Sequence, residues 1–200
     1  MPYLGNEVAP LVQALEGKEL KLDSDGDSSI QASTDDTVVL KTNGSNRWTL
    51  NSSGNLFPAS TSQGIVLGAT SDTSANRLED YEEGDWTPTN NGTSNVTLDV
   101  RGASYTKIGR CVVLRFYIGI TATSSGNCII GGLPFTSSAE NNEFSVGTFN
   151  HNSGSAGEGL CRIGYNVNTI NALNTNNNSK TWNLFNNSFI ISTISYFTDS

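Results

Sequence analysis

Cys111-Val112-Val113-Leu114-Arg115-Phe116-Tyr117-Ile118-Gly119-Ile120 reads as a half-buried β-strand. Val112, Leu114, Phe116, Ile118 and Ile120 fall on one face, and Arg115 and Tyr117 on the other. That is the period of two in which successive side chains leave opposite faces of a pleated strand. Similar short runs occur on both sides of it: Val96–Val100, Cys128–Ile130, Glu143–Thr148, Leu160–Tyr165, Thr181–Leu184 and Phe189–Phe197. Asn-, Gly- and Ser-rich turns separate them, so residues 78–200 are expected to form a β-sandwich of jelly-roll type. The Asn-rich tract Asn171–Asn178 is expected to be a loop at the edge of that domain.

Upstream the texture changes. Between Leu20 and Asn76, strands of a few residues (Leu20–Leu22, Thr37–Lys41, Trp48–Leu50, Leu56–Phe57) alternate with Asp25-Gly26, Asn43-Gly44 and Ser53-Gly54. Such pairs favour the positive backbone angles of tight hairpin turns. Large apolar residues are few here, and one copy could not bury enough of them to offset the entropy of ordering the chain. Three copies around an axis could share a core, which predicts an extended trimeric β shaft over 18–77. Val8, Leu11, Val12 and Leu15 recur at helical spacing between Pro10 and Gly17, predicting a short helix or arm over 1–17 that must pack on something larger.

Composition narrows the function. Gly, Ser, Thr and Asn account for 90 of the 200 residues, leaving little for long amphipathic helices, whereas Leu, Ile, Val and Phe number 47 and suffice for a core. No run of 18 apolar residues predicts a membrane span, and the first residues do not read as a signal peptide. The net charge of −8 sits in the first half of the chain: residues 1–85 carry 14 acids and 5 bases, residues 86–200 carry 5 and 6. No cluster of Lys and Arg is available to displace counterions, so nucleic acid is not an expected partner. Cys111, Cys128 and Cys161 are odd in number and lie in or beside apolar runs, which suits small core residues better than a disulfide framework.

Catalytic chemistry finds little footing. Glu79, Asp80, Glu82, Glu83 and Asp85 form an acidic stretch between Arg77 and Trp86, and paired carboxylates can hydrolyse glycosides. At a domain boundary such acids more often cap or face solvent. Asp23-Ser24-Asp25-Gly26-Asp27 resembles the start of a calcium loop, but Ser28 stands where the sharp turn needs Gly and Thr34 where a bidentate Glu belongs. A turn between strands is the better reading. His151 has no acid or nucleophile placed to form a triad. The sequence therefore predicts neither an enzyme nor a bound cofactor or metal.

Three motifs occur in order: Leu78-Glu79-Asp80-Tyr81-Glu82-Glu83-Gly84-Asp85-Trp86-Thr87-Pro88, then Tyr105-Thr106-Lys107-Ile108-Gly109-Arg110, then Gly132-Leu133-Pro134-Phe135. Together they resemble the start of the C-terminal β-domain in tailed-bacteriophage fibre proteins, although Asp85 stands where a neutral residue is usual. Met1-Pro2-Tyr3-Leu4-Gly5-Asn6 is similar to the start of some phage fibre proteins. Residues 136–200 match no such motif. The resemblance implies a homotrimeric virion protein, made in the host cytoplasm and carried on the tail or the capsid. Residues 1–17 would then dock on other virion proteins through Val8, Leu11, Val12 and Leu15. The outer domain would meet a host-surface glycan or lipopolysaccharide, with Trp182, Tyr196 and Phe197 as candidate stacking aromatics. A capsid head fibre or decoration protein without a receptor role is the alternative.

Overall fold

The computed structural model describes residues 19–73, 76–153 and 155–199. The helix expected over 1–17, with Val8, Leu11, Val12 and Leu15, lies outside the described residues. The chain divides into two compact units after Glu79, two residues beyond the boundary expected from sequence.

In the first unit, β1 (Leu20–Lys21), β2 (Ser29–Thr34), β3 (Thr37–Thr42), β4 (Ser45–Leu50) and β5 (Leu56–Pro58) form an antiparallel meander in chain order. The Asn43-Gly44 turn between β3 and β4 has φ of 50° and 67°, the paired positive angles that make this dipeptide a hairpin turn. A two-stranded ribbon follows, β6 (Ile65–Val66) against β7 (Arg77–Leu78). Among the described residues of this unit, Val39 is the one large apolar side chain that is buried.

The second unit is built on one curled, eight-stranded antiparallel sheet. Its strands are β8 (Tyr81–Asp85), β9 (Val96–Ile108), β10 (Cys111–Ala122), β11 (Ile129–Gly131), β12 (Ser145–Asn150), β13 (Leu160–Ile163), β14 (Thr169–Leu173) and β15 (Ser188–Phe197). Their order across the sheet is β11-β14-β13-β12-β15-β10-β9-β8. All eight strands of the domain expected to be a sandwich thus belong to a single sheet. β12 makes the corner, pairing with β13 through Ser145–Thr148 and with β15 through Phe149 and Asn150. The two ends of the sheet meet where Thr89, beyond β8, exchanges both backbone hydrogen bonds with Gly131 of β11, at 3.0 and 2.8 Å.

β10 lies between β15 and β9, and its alternation is realised as expected: Val112, Leu114, Phe116, Ile118 and Ile120 are buried while Arg115 faces out. Ile190, Ile194 and Tyr196 of β15, Cys161 and Ile163 of β13, and Ile130, Ile170, Trp182 and Phe185 complete the core. The β9–β10 hairpin turns on Gly109 and Arg110, with Gly109 at φ 55°, so the second motif is the hairpin tip.

Two expected elements differ. Trp182–Phe185 is a 3-10 turn, not part of a strand over Thr181–Leu184. Its buried residues, Trp182 and Phe185, are three apart, the period of that helix rather than of a strand. The tract Asn171–Asn178 is not all loop. Ile170 and Ala172 point into the core, so residues 169–173 pair with β13 and only the rest turns back. There the Asn174 side-chain oxygen accepts the N–H groups of Asn176 and Asn178, the local bonding that makes Asn a turn residue.

Candidate functional site

The three motifs that the sequence places far apart converge at one end of the second unit. Lys107, on the inner face of β9, is buried and pairs with the Asp80 carboxylate. Its ammonium also lies 5.4 Å from the centroid of the Phe135 ring. The Tyr105 hydroxyl donates to Glu82, which raises the Tyr105 pKa above its ordinary value, and its ring meets Phe135 edge-on at 5.3 Å. Tyr81 donates to Glu83 at 2.9 Å. Trp86 stands edge-on against Phe116 at 5.8 Å. The Phe135 carbonyl accepts the Tyr196 hydroxyl at 2.9 Å. Asp80, Glu82 and Glu83 are thus each engaged by a side chain, and the acidic stretch acts as a fastener between β8, β9 and the Gly132–Phe135 turn. Arg110, the last residue of the second motif, bonds the Thr198 carbonyl, at 2.9 Å.

The stacking aromatics expected from sequence separate. Trp182 and Tyr196 are buried in the core of one chain, leaving no ring face for a sugar; burial drives the Tyr196 pKa upward. That corrects their candidacy. Phe197 alternates with Tyr196 on the same strand and is half exposed. It lines a hollow of about 240 Å³ together with Ser137, Asn142, Glu143, Phe144 and Gly164.

A larger groove, about 350 Å³, lies on the outer face between β9, β10 and β15. Asp99, Arg101, Gly119, Asn152, Asn187 and Phe189 line it. Its cause is a β-bulge: Tyr117 pairs with Gly102 and Ile118 with Val100, so Arg101 is an extra residue. Bulges re-aim side chains in this way. Arg101 donates to Asp99 at 2.8 Å and to the Tyr117 hydroxyl at 2.6 Å. The pair lies over Gly119, where a Cβ would sit 3.0 Å from the Arg101 guanidinium and 3.2 Å from the Asp99 carboxylate. The Tyr117 and Phe189 rings pack edge-on at 5.5 Å. Ser188 donates to Asn152 at 2.7 Å and fixes its side chain. The groove therefore offers a carboxylate, a guanidinium, two amides and an aromatic wall. Sequence reading missed it, because the bulge that joins Asp99, Arg101 and Gly119 is a property of register.

Asp23, Asp25 and Asp27 do gather in the loop between β1 and β2, with carboxylate oxygens within 4.8 Å of one another. Asp23 accepts the N–H groups of Gly26 and Ser28 at 3.0 and 3.2 Å, closing the turn. Hydrogen bonding from Ser28 holds its pKa at about 2. Thr34, at the twelfth position, lies in β2 and supplies no carboxylate. His151 packs against Phe149 and Phe185. Cys128 and Cys161 are buried and free, their thiols pushed up by burial, Cys161 to about 12; Cys111 is half-buried. Comparison with protein-family models, with curated proteins and with solved structures gives no match.

Proposed function

We propose that this chain is a structural component of a tailed-bacteriophage virion, a homotrimeric tail fibre. Residues 1–17 dock on the particle, and the domain from Asp80 onward faces the host. The observation that carries this reading is the contrast between the two units. Among the described residues, the first buries one large apolar side chain, Val39, whereas the second has an extended core of its own. A segment that needs copies of itself, joined to a domain that does not, is the construction of a fibre with a head. The convergence of the three fibre-like motifs on one fastener supports the same reading.

The groove over Gly119 is where a host carbohydrate would be met. Asp99, Arg101 and the two amides suit sugar hydroxyls, and Phe189 suits an apolar sugar face. The role asks for no catalytic step and no cofactor.

Antibodies against residues 80–199 should label intact phage particles at the tail, at a few copies each. Dense labelling over the shell would transfer the protein to the capsid as a head fibre or decoration protein. Particles without label would overturn a virion role.

A further inference from the structure

Cross-strand pairing in the first unit sorts its side chains by face. Leu20 stands opposite Ile30, Ile30 opposite Leu40, Leu40 opposite Trp48, and Trp48 opposite Pro58. This is one continuous row across all five strands. A second row runs Val38, Leu50, Leu56 on the same face, two residues along each strand. Neither row contains a charged residue. The six aliphatic residues are 37 to 59% exposed, although they directly oppose one another in a sheet. The neighbouring row is different: Lys21 opposes Ser29, and Ser29 opposes Lys41. There Glu19 accepts from Lys41 at 3.2 Å and from Ser29. The charged row lies on the other face, which also carries the uncharged row Gln31, Val39, Thr49 and Phe57.

We propose that the uncharged face of this sheet is closed by the same face of further copies of the chain. The inference rests on the oligomeric part of the fibre reading and names the surface that part requires. Charge selects the occupant. The chain carries a net −8, so two copies repel wherever their acidic surfaces approach. The apolar rows offer identical chains a contact with no like charges opposed. Area agrees. A half-exposed aliphatic side chain shows water roughly 80 Å², so the rows with the Trp48 ring present on the order of 500 Å². A standard interface takes about 800 Å² from each partner, about 65% of it apolar between identical subunits, which is close to the same amount.

The test is photo-crosslinking of the full chain, with benzoylphenylalanine at Trp48 in one variant and at Lys21 in another, alongside light scattering. Trp48 keeps an apolar group, so the face is not disrupted. The expected result is a particle near three times 21.3 kDa, with interchain crosslinks from position 48 and few from position 21. Leu40→Asp should turn that particle into monomer. Unmodified chain that is monomeric at micromolar concentration overturns both this inference and the trimeric reading. An oligomer that crosslinks equally from both positions, or not from 48, overturns the face and leaves the trimer standing. A crosslink from 48 within one chain overturns the proposal by naming another part of the chain as the occupant.

Discussion

Lys107 and Asp80 form an ion pair in which the lysine side chain is 4% exposed and the carboxylate 41%. The asymmetry decides what each partner is worth. Asp80→Asn leaves a buried ammonium without its counter-charge, a change that costs about 3 kcal/mol, the low end for a broken buried pair because Asp80 is half in water. Lys107→Met replaces the ammonium by an apolar chain of similar length and leaves a carboxylate that water reaches, so it should cost less than about 1 kcal/mol. Urea denaturation of both variants checks the order. Equal losses would mean that the ammonium is solvated.

Phe116 and Arg115 are neighbours on β10 with opposite environments, the ring buried and the guanidinium exposed. Phe116→Ala should lose about 3–5 kcal/mol, including the edge contact with Trp86. Arg115→Ala should stay within about 0.5 kcal/mol. Similar losses at both positions would show that the outer face of β10 is also covered.

Gly132 opens the third motif at φ 84°, and a Cβ there would stand 2.3 Å from the Thr87 carbonyl oxygen. Gly132→Ala must both strain the backbone and part the strands next to the Thr89–Gly131 closure. A loss of at least about 2 kcal/mol is expected. Gly92→Ala, also at positive φ but with open space around it, carries the backbone cost alone and should lose less. Thermal melts of the two variants separate crowding from strain.

Asp23 titrates at about 2 against an ordinary 3.8, because Ser28 bonds its ionised form. A carboxyl whose folded pKa is depressed stabilises the fold at pH values above its unfolded pKa. That contribution declines as the pH falls from about 4 through about 2. Carboxyl NMR should place the Asp23 midpoint near 2, and Asp23→Asn should lower the stability of the first unit more at pH 6 than at pH 2. A midpoint near 3.8 would show that the turn does not hold the carboxylate.

Periodicity along the chain was enough to identify a mainly β protein, the buried face of β10, the Gly-bearing turns and the shortage of apolar residues before Asn76. Each follows from neighbours in sequence: alternation from the pleat, turns from the angles that Asn and Gly allow, the shortage from composition. What joins distant residues was not legible there. The pairing of Lys107 with Asp80 rather than another acid depends on the register of β8 and β9, and a one-residue slip would exchange the faces. The bulge at Arg101 that assembles the groove, the corner at β12 and the meeting of Thr89 with Gly131 depend on how far the sheet curls. The apolar rows of the first unit lie between the two cases. Their residues alternate visibly in β4 but not in the continuous apolar run Val38-Val39-Leu40 of β3, and only strand pairing sets Leu20, Ile30, Leu40 and Trp48 side by side. Alternation is a local steric property of a strand, whereas register and curl arise from packing whole strands against one another, so only the tertiary structure decided them.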